Sequence, residues 1–168
     1  MSEHFSEESL RKIAEQKVEA RRTVKIHIAI FLLVNAMLFI INFITLPDFF
    51  WFLFPLFAWF IGLSIHIVGY ILYAKGVYPI AKRAVIIVLT SYFTVMLLLI
   101  TINYITLNTI NWALYPGLFM GSAVLILIII YTIFFRSELT NDGEIITKKE
   151  KAIQREMDKL AKKANNSS

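Results

Sequence analysis

Between Ile26 and Ala74 the only Asp, Glu, Lys or Arg is Asp48, and from Ala84 to Phe135 there is none. Each block is roughly 50 residues long, about twice the 20 or so that cross a hydrocarbon core. A short polar turn breaks each block near its middle, at Pro47-Asp48 and at Asn108-Thr109. In lipid every backbone N–H and C=O must be paired within the protein. Segments of this length without polar–apolar alternation are therefore helices rather than barrel strands. The spacing predicts four transmembrane helices near residues 24–46, 50–73, 83–106 and 111–135. Trp51 and Trp112 directly follow the turns, as expected where a helix re-enters from a headgroup layer. Pro55 and Pro116 come about one turn later. They suit a first helical turn, where a missing N–H costs little, and would kink helices that begin at the tryptophans.

The two blocks are one pattern written twice. A shift of 61 positions lays Ile41-Asn42-Phe43-Ile44-Thr45-Leu46 on Ile102-Asn103-Tyr104-Ile105-Thr106-Leu107, and Trp51, Pro55 and Tyr70 on Trp112, Pro116 and Tyr131. Upstream, Ala20, Arg22, Val24 and Ile26 fall on Ala81, Arg83, Val85 and Ile87. His27 and His66 become Val88 and Leu127, so any use of imidazole is confined to the first copy. The expected fold is all-α and integral to the membrane, with four transmembrane helices from two parallel-repeated hairpins and a cytoplasmic helix at each terminus. The expected divisions are an amphipathic cytoplasmic helix over 1–22, a first hairpin over 23–75 and a linker over 76–82. A second, degenerate hairpin over 83–136 and a basic tail over 137–168, with a helix near 147–163, complete the chain.

Orientation follows from the cations. The N-terminal flank holds Arg11, Lys12, Lys17, Arg21, Arg22 and Lys25, the central connection holds Lys75, Lys82 and Arg83, and the tail begins at Arg136 and turns strongly basic. The Pro47-Asp48 and Asn108-Thr109 turns hold none, so both termini and the central loop are expected in the cytoplasm. The first 22 residues are polar, and no cleavable signal peptide is expected. With 58% hydrophobic and 17% charged residues, the composition departs from the roughly 25% charged residues of soluble domains. The absence of cysteine excludes disulfides and thiolate metal sites.

The polar ends read as helices. Ser6 is a suitable N-cap, Glu7 and Glu8 favour the positive end of the helix dipole, and Phe5 is placed to staple to Leu10. His4 is most simply a solvated side chain. Leu10, Ile13, Ala14 and Val18 form one stripe that is expected to run unbroken into the first membrane helix. In the tail, Asn141-Asp142-Gly143 signals a turn and Thr147 with Glu150 a capping box. Ile153, Met157, Leu160 and Ala161 share a face, and Lys148, Lys149, Lys151, Arg155, Lys159, Lys162 and Lys163 outnumber Glu150, Glu156 and Asp158. Such a helix lies on anionic lipid or pairs with a protein partner, unless it is a solvated tail that only sets topology. Nucleic acid is not expected, because the charge adjoins membrane spans and lacks interleaved aromatics.

The run Val18-Glu19-Ala20-Arg21-Arg22, then His27-Ile28-Ala29-Ile30-Phe31-Leu32-Leu33-Val34-Asn35-Ala36, Ile41-Asn42, Trp51, Pro55, Trp59, Gly62-Leu63 and His66 resembles the prokaryotic two-transmembrane (2TM) domain over roughly residues 15–75. The resemblance implies a membrane hairpin and a charged cytoplasmic helix after it, to which the segment from Lys151 to Leu160 is similar. The family occurs as small stand-alone membrane proteins and as the membrane portion of some sensor histidine kinases. The second copy keeps counterparts of Asn42, Trp51 and Pro55 but not of the histidines or Asn35. With no catalytic domain after the hairpins, a kinase function is not carried over.

His27 lies about 21 residues before the Pro47-Asp48 turn and His66 about 18 after it. At 1.5 Å per residue the two share a depth to within a helical turn, in the cytoplasmic third of the bilayer. Three uses are open. They form structural hydrogen bonds across helices, they act as a pH- or ligand-responsive switch, or they hold haem b as axial ligands. Neighbouring helices pack about 8–10 Å apart, tight for a haem between them, so ligation suits a bundle diagonal or two protomers better. A zinc site is not expected, because zinc takes three or four protein ligands and no intramembrane Asp, Glu or Cys accompanies the pair. Asn35, Asn42 and Asn103 are expected to hydrogen-bond across helices deeper in the bundle. Gly117 and Gly121 form a GxxxG, and Ala58 with Gly62 a small-xxx-small pair, suited to close contacts within or between copies of the chain.

No phosphate loop, Ser/His/Asp constellation or carboxylate pair is present, and no catalytic residue is assigned. The expected function is a non-enzymatic interaction, regulatory or scaffold module of the plasma membrane, spanning it several times. Its expected partners are the bilayer, an anionic lipid or protein at the C-terminal helix, and a second copy of the chain. The alternative is a haem b electron-transfer protein using His27 and His66. A transporter or channel is disfavoured, because four helices without intramembrane charge offer little to coordinate a polar substrate.

Overall fold

The computed structural model describes residues 7–77, 80–135, 137–139 and 145–165. His4, Phe5 and Ser6 and the turn at Asn141-Asp142-Gly143 lie outside the described residues. In order come α1 (Glu7–Thr45), α2 (Leu53–Ala74), α3 (Ile80–Leu107) and α4 (Leu114–Ile130), which continues as a π-helical segment (Tyr131–Phe135). Two three-residue strands, β1 (Ser137–Leu139) and β2 (Ile145–Thr147), and a final helix, α5 (Lys148–Asn165), follow. Four helices are long and apolar enough to cross a membrane, which makes this a small multi-pass membrane protein.

α1 spans 39 residues without interruption. It contains no Gly or Pro, and at 1.5 Å per residue it reaches about 58 Å, roughly twice the hydrocarbon thickness. The expected N-terminal amphipathic helix and the first membrane helix are therefore one rod. Pro47 stops it, because the residue before a proline is driven out of the helical region. Pro55 and Pro116 are each the third residue of their helix, so the first-turn alternative applies. α2 ends in a Schellman motif. Gly76 takes φ 68°, its N–H donates to the Tyr73 carbonyl at 3.1 Å, and the Val77 N–H donates to the Leu72 carbonyl at 2.9 Å. α3 ends with Asn108 at φ 53°, a left-handed position that asparagine tolerates better than most residues.

Each helix packs on the next, and α2 and α3 make the most extensive contact. α1 and α4 are the outer helices, with Leu33, Phe43, Leu118 and Phe119 among their many exposed apolar side chains. These surfaces suit lipid, where exposed Leu and Phe carry no penalty. The hydroxyls of Thr90, Ser91, Thr94 and Thr101 donate to carbonyls four residues back in α3, which satisfies them inside the membrane. The unforeseen β1–β2 ribbon is antiparallel and pairs Ser137 with Thr147, Glu138 with Ile146 and Leu139 with Ile145.

The two membrane turns are built on the same bond. Asn42 Oδ1 accepts from the Phe52 N–H at 2.9 Å, and Asn103 Oδ1 accepts from the Ala113 N–H at 3.0 Å. Phe52 and Ala113 are the N-caps of α2 and α4, and neither makes a side-chain cap, so the preceding helix supplies one. Asn42 Nδ2 also donates to the Leu46 and Phe49 carbonyls, while Asn103 Oδ1 accepts from the Asn111 N–H and its Nδ2 donates to Asn111 Oδ1. The side chains are 2% and 0% exposed. Asn42 and Asn103 thus close the turns and do not bridge helices deep in the bundle, because an orphaned helix-start N–H lies within their reach. Asn35 is buried too, but its Nδ2 donates to the Phe31 carbonyl in its own helix, and Oδ1 has no partner among the described residues.

The small residues divide. Gly117 and Gly121 serve the contact of α4 with α3: a Cβ at Gly117 would lie 2.7 Å from Met96 Cε, and one at Gly121 3.0 Å from the Tyr92 hydroxyl. That hydroxyl donates to the Gly117 carbonyl at 3.2 Å. Ala58 and Gly62 are exposed, and a Cβ at Gly62 would meet nothing within 4 Å, so that pair makes no close contact within the described chain.

Asn103→Ala leaves the buried Ala113 N–H without its acceptor, and a buried polar group left unpaired costs about 1–3 kcal/mol. Denaturation in detergent is expected to show a loss in that range for Asn103→Ala and Asn42→Ala. Thr45→Ala, which removes only a hydroxyl bonded within its own helix, is expected to be near neutral.

Candidate functional site

The site lies where α1 and α2 face each other near their charged ends. On α1, Val24, His27, Phe31, Asn35 and Asn42 recur at spacings of three, four and seven residues, and on α2 Trp59, Leu63, His66, Tyr70 and Tyr73 recur at three and four. Phe31 packs edge-on to Trp59 at a ring separation of 5.9 Å, and Val24 and Leu63 are buried. This wall sets the approach of the two histidines.

His27 Nδ1 and His66 Nδ1 are 3.0 Å apart, and the Trp59 indole N–H donates to His27 Nε2 at 2.9 Å. Indole is a donor only, which fixes every hydrogen in the chain. His27 Nε2 must be bare, so neutral His27 carries its proton on Nδ1. That proton points at His66 Nδ1, which must also be bare, so neutral His66 carries its proton on Nε2. The bonds therefore run from Trp59 through His27 to His66. A further proton on His27 would set its Nε2–H against the indole N–H. A further proton on His66 would set two Nδ1–H groups against each other. One arrangement satisfies both bonds, and in it both rings are neutral.

The expected equality of depth is realised, since the rings touch. The haem geometry is not. Two axial imidazoles need nitrogens about 4 Å apart, taking a metal–imidazole bond of about 2.0 Å, with a macrocycle between them. Here the facing nitrogens are bonded to each other, and both nitrogens of His27 are engaged. The pair as arranged does not fit the group.

Beyond His66 lies an open groove of about 990 Å³ lined also by Arg11, Glu15, Gln16, Glu19 and Thr23. Arg11 pairs with Glu15 at 3.0 Å and Arg22 with Glu19 at 2.8 Å, both exposed and worth little to stability. Two more bonds tie the helices here. Arg21 Nε donates to the Tyr70 hydroxyl at 3.0 Å, and the Tyr73 hydroxyl donates to Gln16 Oε1 at 3.2 Å. In the second hairpin the matching recess is an apolar cavity of about 170 Å³ that includes Leu127, the counterpart of His66. Trp59, Arg21, Tyr70, Gln16 and Tyr73 were not expected at the site. The signal for three of them is their spacing: Trp59, Tyr70 and Tyr73 lie seven before, four after and seven after His66, on its own face.

Residues 12–76, which contain the Trp59–His27–His66 chain and the two bonds from Arg21 and Tyr73, match the 2TM domain family. No curated protein and no solved structure matches the chain.

The hydrogen placement is directly measurable. In ¹⁵N-labelled protein above neutral pH, His27 is expected as the Nδ1–H tautomer and His66 as the Nε2–H tautomer. Trp59→Phe should release His27 from that choice. Two rings of the same tautomer in the parent protein would contradict the geometry.

Proposed function

We propose that the protein, whose residues 12–76 match the 2TM domain family, is a non-enzymatic regulatory module of the plasma membrane with both termini cytoplasmic. In this reading the Trp59–His27–His66 chain is a latch between α1 and α2. The observation that carries it is that only one hydrogen arrangement satisfies both bonds, so protonation of either ring opens one of them. α1 continues from the latch to Glu7 without a break, which gives the opening a mechanical outlet at the cytoplasmic end. The latch adjoins the groove that carries Arg11, Glu15 and Glu19 as its charged groups, so protons and polar ligands reach His66 from that side. The second hairpin is a degenerate duplicate whose role is support. The shared asparagine-to-N-cap bond and the hydrocarbon residues Val88 and Leu127 at the histidine positions favour this division.

Because the chain has no cysteine, spin labels can be placed at Lys12→Cys and Lys75→Cys without background. The distance between them is expected to lengthen on acidification. In the His27→Gln/His66→Gln double variant, which has no imidazole in the latch, it should not respond, and in Trp59→Phe it should already be broadened before acid is added. An unchanged distance in the parent protein on acidification would remove the regulatory reading.

A further inference from the structure

α5 presents Ile153, Met157 and Leu160 on one face, at 41, 62 and 63% exposure, so the chain itself does not cover them. From Lys148 to Lys163 the sequence holds seven basic residues against Glu150, Glu156 and Asp158. Where the helix sits decides what meets that face. α5 packs against both the π-helical segment and β2, which holds it beside the charged end of the fourth membrane span. In that segment Ile133, Phe134 and Phe135 are exposed and apolar, as lipid-facing side chains are. The uncovered stripe of α5 is thus tethered next to an exposed apolar surface at the end of a span able to cross a membrane.

We propose that α5 docks on an anionic lipid surface, with Ile153, Met157 and Leu160 entering the boundary between headgroups and acyl chains. An apolar stripe on a helix with a strongly charged opposite face is the pattern of an interfacial helix, which sinks about 5–10 Å into that boundary. Arg155 and Lys162 lie on the opposite face within a helix diameter of the surface, inside the range over which anionic lipid attracts cations at physiological salt. Lys159 is paired with Glu156 at 2.9 Å, so part of the charge is already compensated, and the apolar stripe must supply part of the attachment. This inference goes beyond the regulatory reading above and is independent of the histidine latch, which the pH experiment tests separately.

The test uses the full chain in lipid nanodiscs of phosphatidylcholine with or without phosphatidylglycerol. Single nitroxides are placed at Met157→Cys and, on the opposite face, at Arg155→Cys. In anionic discs the label at 157 is expected to gain collisions with oxygen and lose collisions with a water-soluble nickel chelate several-fold, while the label at 155 stays water-accessible. High salt, or replacement of Lys151, Lys159 and Lys162 by Glu, should return the 157 label to water. Equal nickel access at 157 in both discs would overturn the proposal in favour of a solvated tail. Protection at 157 that is independent of phosphatidylglycerol and accompanied by spin–spin broadening would overturn it in favour of a second copy.

Discussion

A peptide group in hydrocarbon has no water to fall back on, and the helix start after a tight membrane turn is where this is felt most. Three or four N–H groups there have no partner in their own helix. The structure meets the need by lending a side chain from the preceding helix. Asn42 reaches the N-cap of α2, and Asn103 that of α4. Each turn is then fixed in direction as well as in length, and with it the face that the returning helix shows to its neighbour. The alignment of Trp59, His66, Tyr70 and Tyr73 against α1 depends on that first choice at Phe52.

The same scarcity of water shapes the histidine pair. Two imidazoles in water would each choose partners freely. Here Trp59 offers only a proton, and the choice passes down the chain until His66 Nε2–H is left at the groove. A donor-only residue at one end and an open groove carrying Arg11, Glu15 and Glu19 at the other make the chain directional. In the second hairpin Val88 and Leu127 fall at the corresponding positions of the sequence register, and the recess that Leu127 lines is apolar.

Most of the architecture was legible because charge is so expensive in lipid that its absence over long stretches leaves one solution. The four spans, the stop at Pro47 and the unbroken entry of α1 follow from composition and from where Pro and Gly do or do not occur. The histidine contact was legible as equal depth about a turn. The direction of its hydrogen bonds was not, because it depends on which face Trp59 shares with His66 and on a 2.9 Å approach that depth alone does not fix. The turn-closing role of Asn42 and Asn103 was missed for a related reason. An asparagine in an apolar helix reads as interhelical glue, and only the turn geometry places the N-cap ten residues on within its reach. The β1–β2 ribbon, with three residues a side, is too short to show a period.

The length and stiffness of α1 have a mechanical consequence. A rod with no Gly or Pro does not absorb rotation locally, so a change of tilt at His27 is carried to its far end. Glu7 is twenty residues from that pivot, about 30 Å along the axis, and a tilt of about 10° would sweep it through roughly 5 Å. A displacement of hydrogen-bond size between two rings thereby becomes one of helix-radius size beyond the membrane, on a scale that a neighbouring protein or headgroup layer can register.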